Sequence, residues 1–136
     1  AIWQADFEIV FPEQKLPPGY EAALGALLPP YPAWSAELQN WGTDDGHRID
    51  VWPFAPDPPE AVARLDLRAL DGAFLGSFLE LVRFWGAHLR TPDGVDVAPM
   101  REAILAIVST YGAYEWARDP RAYFDQFPKA SEDESA

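Results

Sequence analysis

Residues 34–54 constrain the chain most, because two runs of alternating side chains flank a turn that contains Asp45-Gly46. Such a pattern reads as a β-hairpin. Asp-Gly supplies the positive φ angles of a tight turn, and a short loop fixes which residues face one another across the ladder. With a period of two, Trp34, Ala36 and Leu38 fall on one side of the first strand, and Ile49 and Val51 on one side of the second. These form the expected core face. Glu37, Gln39, Trp41, Arg48, Asp50 and Trp52 are then left for the opposite face, where two tryptophans sit among charges. Exposed aromatics among charged neighbours are the composition of protein interfaces.

The same alternation recurs on both sides of the hairpin. Residues 2–11 place Trp3, Ala5, Phe7, Ile9 and Phe11 on one face and Gln4, Asp6 and Glu8 on the other, which predicts a first strand. Tyr20, Ala23, Leu24, Leu27 and Leu28 then recur at helical spacing until Pro29-Pro30 stops the run. Prolines at 53, 56, 58 and 59 predict a semi-rigid loop after the hairpin. Residues 61–68 resume alternation as a fourth strand, with Arg64, Asp66 and Arg68 outward.

From there the period turns helical. Asp71 suits a cap for a helix whose Phe74, Leu75, Phe78, Leu81, Val82, Trp85 and Leu89 form one stripe through about residue 90, with His88 on its flank. Thr91-Pro-Asp-Gly marks a turn. Asp96 and Pro99 suit the start of a helix running to about residue 118, and Asp119-Pro120 that of a short last helix with Tyr123, Phe124 and Phe127. The polar residues 131–136 bury nothing and predict a dispensable, disordered acidic tail.

The order predicts an α+β fold of one domain, 1–130: a four-stranded, mostly antiparallel sheet in β-α-β-β-β-α-α order, helices on one face and the other face open. The middle three strands should form a meander, while the first can pair at either edge. The expected shared core joins Trp3, Phe7, Ile9, Leu38, Ile49, Val51, Leu65, Leu67, Phe78, Val82, Trp85, Ile104 and Val108. The open face yields a candidate partner-binding set: Glu37, Trp41, Arg48, Asp50, Trp52, Arg64 and Asp66.

Charge sharpens the choice of partner. Twenty-two acids against ten Lys and Arg give a formal net charge of -12. That balance repels nucleic-acid phosphates and steers a basic protein partner. The absence of cysteine excludes disulfides and thiolate metal sites and suits a reducing cytoplasm. No apolar run reaches the roughly 20 residues of a membrane span, and the first residues lack the basic flank of a signal peptide. Asp44-Asp45-Gly46-His47 lacks the spaced oxygens of a calcium loop, and Ser35, Ser77 and Ser109 lie in no nucleophile-elbow context. Neither an enzyme nor a cofactor or metal is expected.

Trp41-Gly42, Gly46-His-Arg-Ile-Asp-Val-Trp52 and Arg64-Leu-Asp-Leu-Arg68, set in a small, acidic, cysteine-free α+β chain, resemble the immunity proteins of bacterial polymorphic and contact-dependent toxin systems. The resemblance is of type and architecture, and no family site residue is carried over. It implies a cytoplasmic inhibitor that binds one cognate toxin tightly and blocks its active site. Two alternatives remain open at this point: a non-enzymatic adaptor or chaperone of a secretion system, and a small-ligand-binding domain with a pocket between the sheet and the proline-rich loop.

Overall fold

The computed structural model describes residues 3–32, 36–54, 56–112 and 114. β1 (Gln4–Val10) follows its alternation strictly: Ala5, Phe7 and Ile9 are buried, and the side chains between them are half-buried. Pro12 then turns the chain through a short 3-10 segment. The following α1 (Tyr20–Leu27) turns Leu24 into the core. β2 (Pro30–Tyr31), β3 (Gln39–Gly42), β4 (Arg48–Trp52) and β5 (Glu60–Asp66) follow, then α2 (Ala73–Phe84), β6 (His88–Arg90), β7 (Asp96–Val97) and α3 (Arg101–Val108).

The strands form one seven-stranded sheet in the order β2-β3-β4-β5-β1-β6-β7, with every pairing antiparallel. The α+β class holds. The expected four-stranded sheet does not, because β2, β6 and β7 extend it at both ends. The predicted meander is present as β3-β4-β5, and β1 lies inside the sheet, paired with β5 on one side and β6 on the other. Phe7, Ile49 and Leu65 from the sheet share one core with Leu24 of α1, Phe78 of α2 and Ile104 of α3, which places these helices on that face. Complete burial of a side chain such as Phe7 or Phe78 contributes about 1.5–3 kcal/mol.

Two local corrections explain β6 and β7. The predicted helix through residue 90 ends instead at Phe84, because Gly86 adopts a φ of 68° and the chain closes a Schellman cap. Its two bonds are Ala87 N–H to the Val82 carbonyl at 3.0 Å and Gly86 N–H to the Arg83 carbonyl at 2.9 Å. Leu89 keeps helical spacing from Trp85, yet it lies on β6 opposite Ile9. His88 is therefore a strand residue. Thr91-Pro-Asp-Gly then makes a hairpin turn rather than a helix-helix loop: Gly94 has φ 88°, and the Thr91 N–H bonds the Val95 carbonyl at 2.9 Å. Asp96, expected at a helix start, is on β7 beside Arg90.

The third correction concerns β3. Residues 36–38 lie outside the strand, so parity counted from them does not carry into it. Trp41 pairs with Ile49 and joins the core, while Asn40 takes the opposite face beside Asp50. Leu38 is buried outside the main core cluster, and Trp3 is half-buried, so neither belongs to the shared core expected of them. Trp85 packs against that core edge-on to Phe11, with ring centroids 5.7 Å apart. α3 stops at Val108 instead of continuing to residue 118. Trp34, the last predicted helix and the tail lie outside the described residues.

Candidate functional site

The register puts Arg48, Arg64 and Asp6 on one row of the polar face, and Asn40, Asp50, Val62, Glu8, Arg90 and Asp96 on the next. Of the expected partner-binding residues, Arg48, Asp50, Arg64 and Asp66 do share this face, with Trp52 half-buried at its β4 end opposite Glu60. Glu37 is exposed in a turn ahead of β3. Trp41 is not on this face at all. Burial in the helix-side core removes it as an interface anchor.

Asp50 and Asp66 are also corrected, since both are buried polar residues rather than surface charges. Asp50 accepts from the Asn40 side-chain amide and from the Arg48 guanidinium, whose other arm reaches Asp44 at 2.9 Å. Asp66 accepts from both the backbone N–H and the side chain of Arg68, each at 3.0 Å. Burial pushes the Asp66 carboxyl up, but these bonds and the Arg68 charge outweigh it and hold the group below the usual carboxylate range. A charge already paired in this way is structural.

The hairpin tip is clasped from outside its own sequence. Trp3 Nε1 and Arg68 donate to the Asp45 carbonyl at 2.7 and 2.9 Å, and the Gln4 amide donates to the carbonyls of Asp44 and Gly46 at 3.0 and 2.8 Å. The Arg68 guanidinium lies over the Trp3 ring, 4.3 Å from its centroid. The positive φ expected at Asp45-Gly46 is found at Gly42 instead, at 109°, and the loop closes through Thr43 N–H to the His47 carbonyl at 3.1 Å. His47 stacks on Phe74 at 4.2 Å, and its Nδ1 accepts the Asp66 N–H at 3.0 Å. Burial holds its pKa below the ordinary histidine value, against the opposing pull of Asp66 and the Ala69 carbonyl.

The solvated part of the face lies on β1, β5 and β6. A hollow of about 470 Å³ is bounded by Gln4, Asp6, Arg64, Pro92, Asp93 and Tyr111. A second, of about 280 Å³, shares Asp6 and Pro92 with it and adds Glu8, Val62 and Arg90. A third, of about 230 Å³, shares Glu8 and Arg90 and continues to Glu60 and the proline loop. Together they make a groove along β1. The part between sheet and proline loop is smaller than the roughly 300–1,000 Å³ of small-molecule sites. A larger hollow of about 620 Å³ is lined by the same loop at Pro53 and Asp57 to Pro59 and by Glu13 to Leu16.

Within the groove, Asp6, Glu8, Glu60 and Asp93 face two cations, and both are engaged: Arg64 by Asp6 at 2.9 Å, Arg90 by Asp96 at 2.8 Å. No ion pair reaches Glu60 or Asp93 among the described residues. Burial, then the neighbouring Asp93 charge, raises the Tyr111 phenol above its ordinary range. Sequence reasoning placed Asp6 and Glu8 on the open face but missed Arg90, Asp93 and Tyr111. The alternation His88-Leu89-Arg90 ahead of Thr91-Pro-Asp-Gly was the signal available.

Among the described residues no group of three or more His, Asp or Glu is placed to hold a metal, and no helix is long and apolar enough to cross a membrane. Comparison with protein-family models, curated proteins and solved structures finds no match for this chain.

Proposed function

We propose that this chain is an immunity-type protein, a cytoplasmic stoichiometric inhibitor that neutralises a basic protein toxin by docking it on the polar face of the sheet. One observation carries the proposal. On that face every arginine is already bound to a carboxylate, whereas Glu60 and Asp93 have no ion pair among the described residues. The uncompensated charge is therefore anionic, in line with the net charge of -12. Such a surface repels phosphate backbones and accelerates encounter with a cationic protein. A continuous groove supplies relief into which a partner can fit.

The test is co-expression. The protein encoded directly upstream in the native genome should arrest growth when expressed alone, and growth should recover when this chain is co-expressed, with a 1:1 complex on size-exclusion chromatography. A harmless neighbour that nevertheless requires this chain for solubility would replace the inhibitor with the adaptor or chaperone reading. A toxic neighbour that this chain neither binds nor relieves would overturn the proposal.

A further inference from the structure

We infer that the hollow between Asp6, Asp93 and Tyr111 is the seat of a lysine or arginine side chain, carried on an extended segment of the basic partner that lies along β1. This deepens the inhibitor reading and rests on it. β1 pairs with β5 over residues 4–8 and with β6 over residues 8–10, so neither edge of it is open along its whole length, and the seat holds its occupant through side chains. Seven residues of β1 give the groove a floor of about 20 Å, room for roughly six residues of extended chain.

The seat has the parts that a cationic side chain uses. Asp6 and Asp93 offer two carboxylates, of which Asp93 accepts the Thr91 hydroxyl at 2.6 Å and has no ion pair among the described residues. Pro92 and the ring of Tyr111 offer apolar surface for the methylene stem, and an aromatic ring also attracts the cation. Arg64, which also lines the hollow, is bound to Asp6 at 2.9 Å and holds that carboxylate in place. Glu8 lies next along the groove, two residues on the same face, where a second basic side chain would fall at the period of an extended peptide. Arg90, 4.0 Å from Glu8, keeps its shorter bond to Asp96 at 2.8 Å.

Titration of the isotope-labelled full chain with the hexapeptide Lys-Val-Lys-Val-Lys-Val, followed by amide chemical shifts, tests this directly. Saturable shifts at Asp6, Glu8, Asp93 and Tyr111 are expected, lost at high salt and absent with the Glu-Val counterpart. Asp93→Asn together with Glu8→Gln should weaken binding about tenfold or more, as loss of charge-assisted bonds does. Asp44→Asn with Asp45→Asn removes equal charge at the hairpin tip and should leave affinity within about twofold. Equal losses in the two double variants would reduce the effect to net charge and overturn the seat.

Two other occupants would overturn it as well. Concentration-dependent shifts of the same amides without peptide would assign the groove to a second copy. Shifts there in a full-length Arg118→Gln, Arg121→Gln variant without peptide would assign it to the chain's own C-terminal segment. The inhibitor reading fails separately. Full growth rescue by the Asp93→Asn, Glu8→Gln variant would overturn the seat alone, whereas lack of rescue by the natural chain would sink the inhibitor and leave the peptide titration standing.

Discussion

The polar face of the sheet has two halves that look alike in sequence and differ in physics. On the β3–β4 half, Asn40 and Asp50 are buried, and the Arg48 side chain is only 14% exposed between Asp44 and Asp50. On the β1–β6 half, Asp6, Arg64, Glu8 and Arg90 keep side-chain exposures of 31–40% and line a groove. The hairpin therefore uses its charges as internal fastening. Low local dielectric makes each buried bond strong and each missing partner expensive, whereas the solvated pairs are screened. The proposed seat lies on the second half, one to three strands away from the hairpin that dominates the sequence.

If that contrast holds, the largest effects belong to the hairpin. Trp41→Ala should cost about 3–5 kcal/mol by opening a cavity in the helix-side core, measured by denaturant unfolding. Gly42→Ala should cost at least ~2 kcal/mol, because a Cβ there meets the His47 carbonyl and a φ of 109° is strained for alanine. A Trp41→Ala variant of unchanged stability that lost only partner binding would restore Trp41 to the surface and break the contrast.

Next in size is Asp50→Ala, which leaves the Asn40 amide without its acceptor and takes one carboxylate from Arg48. A loss of about 1–3 kcal/mol is expected, insensitive to salt. Strong attenuation of that loss by salt would place Asp50 in the same solvated class as Asp6.

The hairpin loop should also respond to pH. His47 Nδ1 accepts a backbone N–H, so the folded state holds the neutral ring, and protonation would set one N–H against another. Because burial lowers its folded pKa, the unfolded chain binds the proton first as pH falls below the ordinary value of 6.5. Stability is then full above that pH and declines below it, until the folded ring itself titrates. Asp66, held below its ordinary 3.8, adds a second loss at lower pH as its carboxylate is protonated. The melting midpoint should fall from pH 7 to pH 5, and His47→Phe should flatten that part of the curve while lowering its plateau. An unchanged slope in His47→Phe would assign the dependence elsewhere.

The sequence revealed most where one face is dry and the strand is long. β1, β4 and β5 run for seven, five and seven residues, enough for alternation to declare itself against a packed core. β2, β6 and β7 have two or three residues, too few to show any period, and only their pairing with longer neighbours makes them strands. Gly86 was visible but read as a helix interior, because Leu89 preserved the stripe by coincidence with its place opposite Ile9. Trp41 was misassigned for a different reason: counting by twos fails across a bend, and Ala36 and Glu37 lie in one. The groove was hidden in consequence, since Arg90 and Asp93 reach the β1 face only once β6 and β7 exist.

The smallest expected effect is also the finest test of the two-halves picture. Asp6→Asn removes the partner of Arg64 at 2.9 Å, yet both side chains keep access to water, 40% and 31% exposed. A solvated pair of this kind is worth about 0.2–1 kcal/mol, and the freed guanidinium can be rehydrated in place. The Asp6/Arg64 double-mutant cycle should therefore give a small coupling energy that shrinks as salt is raised, in contrast to the salt-insensitive loss at Asp50. Binding should move the other way: Asp6→Asn leaves Arg64 uncompensated at the mouth of the 470 Å³ hollow, where it repels an incoming lysine. A variant with almost unchanged stability and a clearly slower association with the basic peptide is the expected outcome. A coupling above ~2 kcal/mol, with peptide association unaltered, would make the β1–β6 half as structural as the hairpin and remove the distinction.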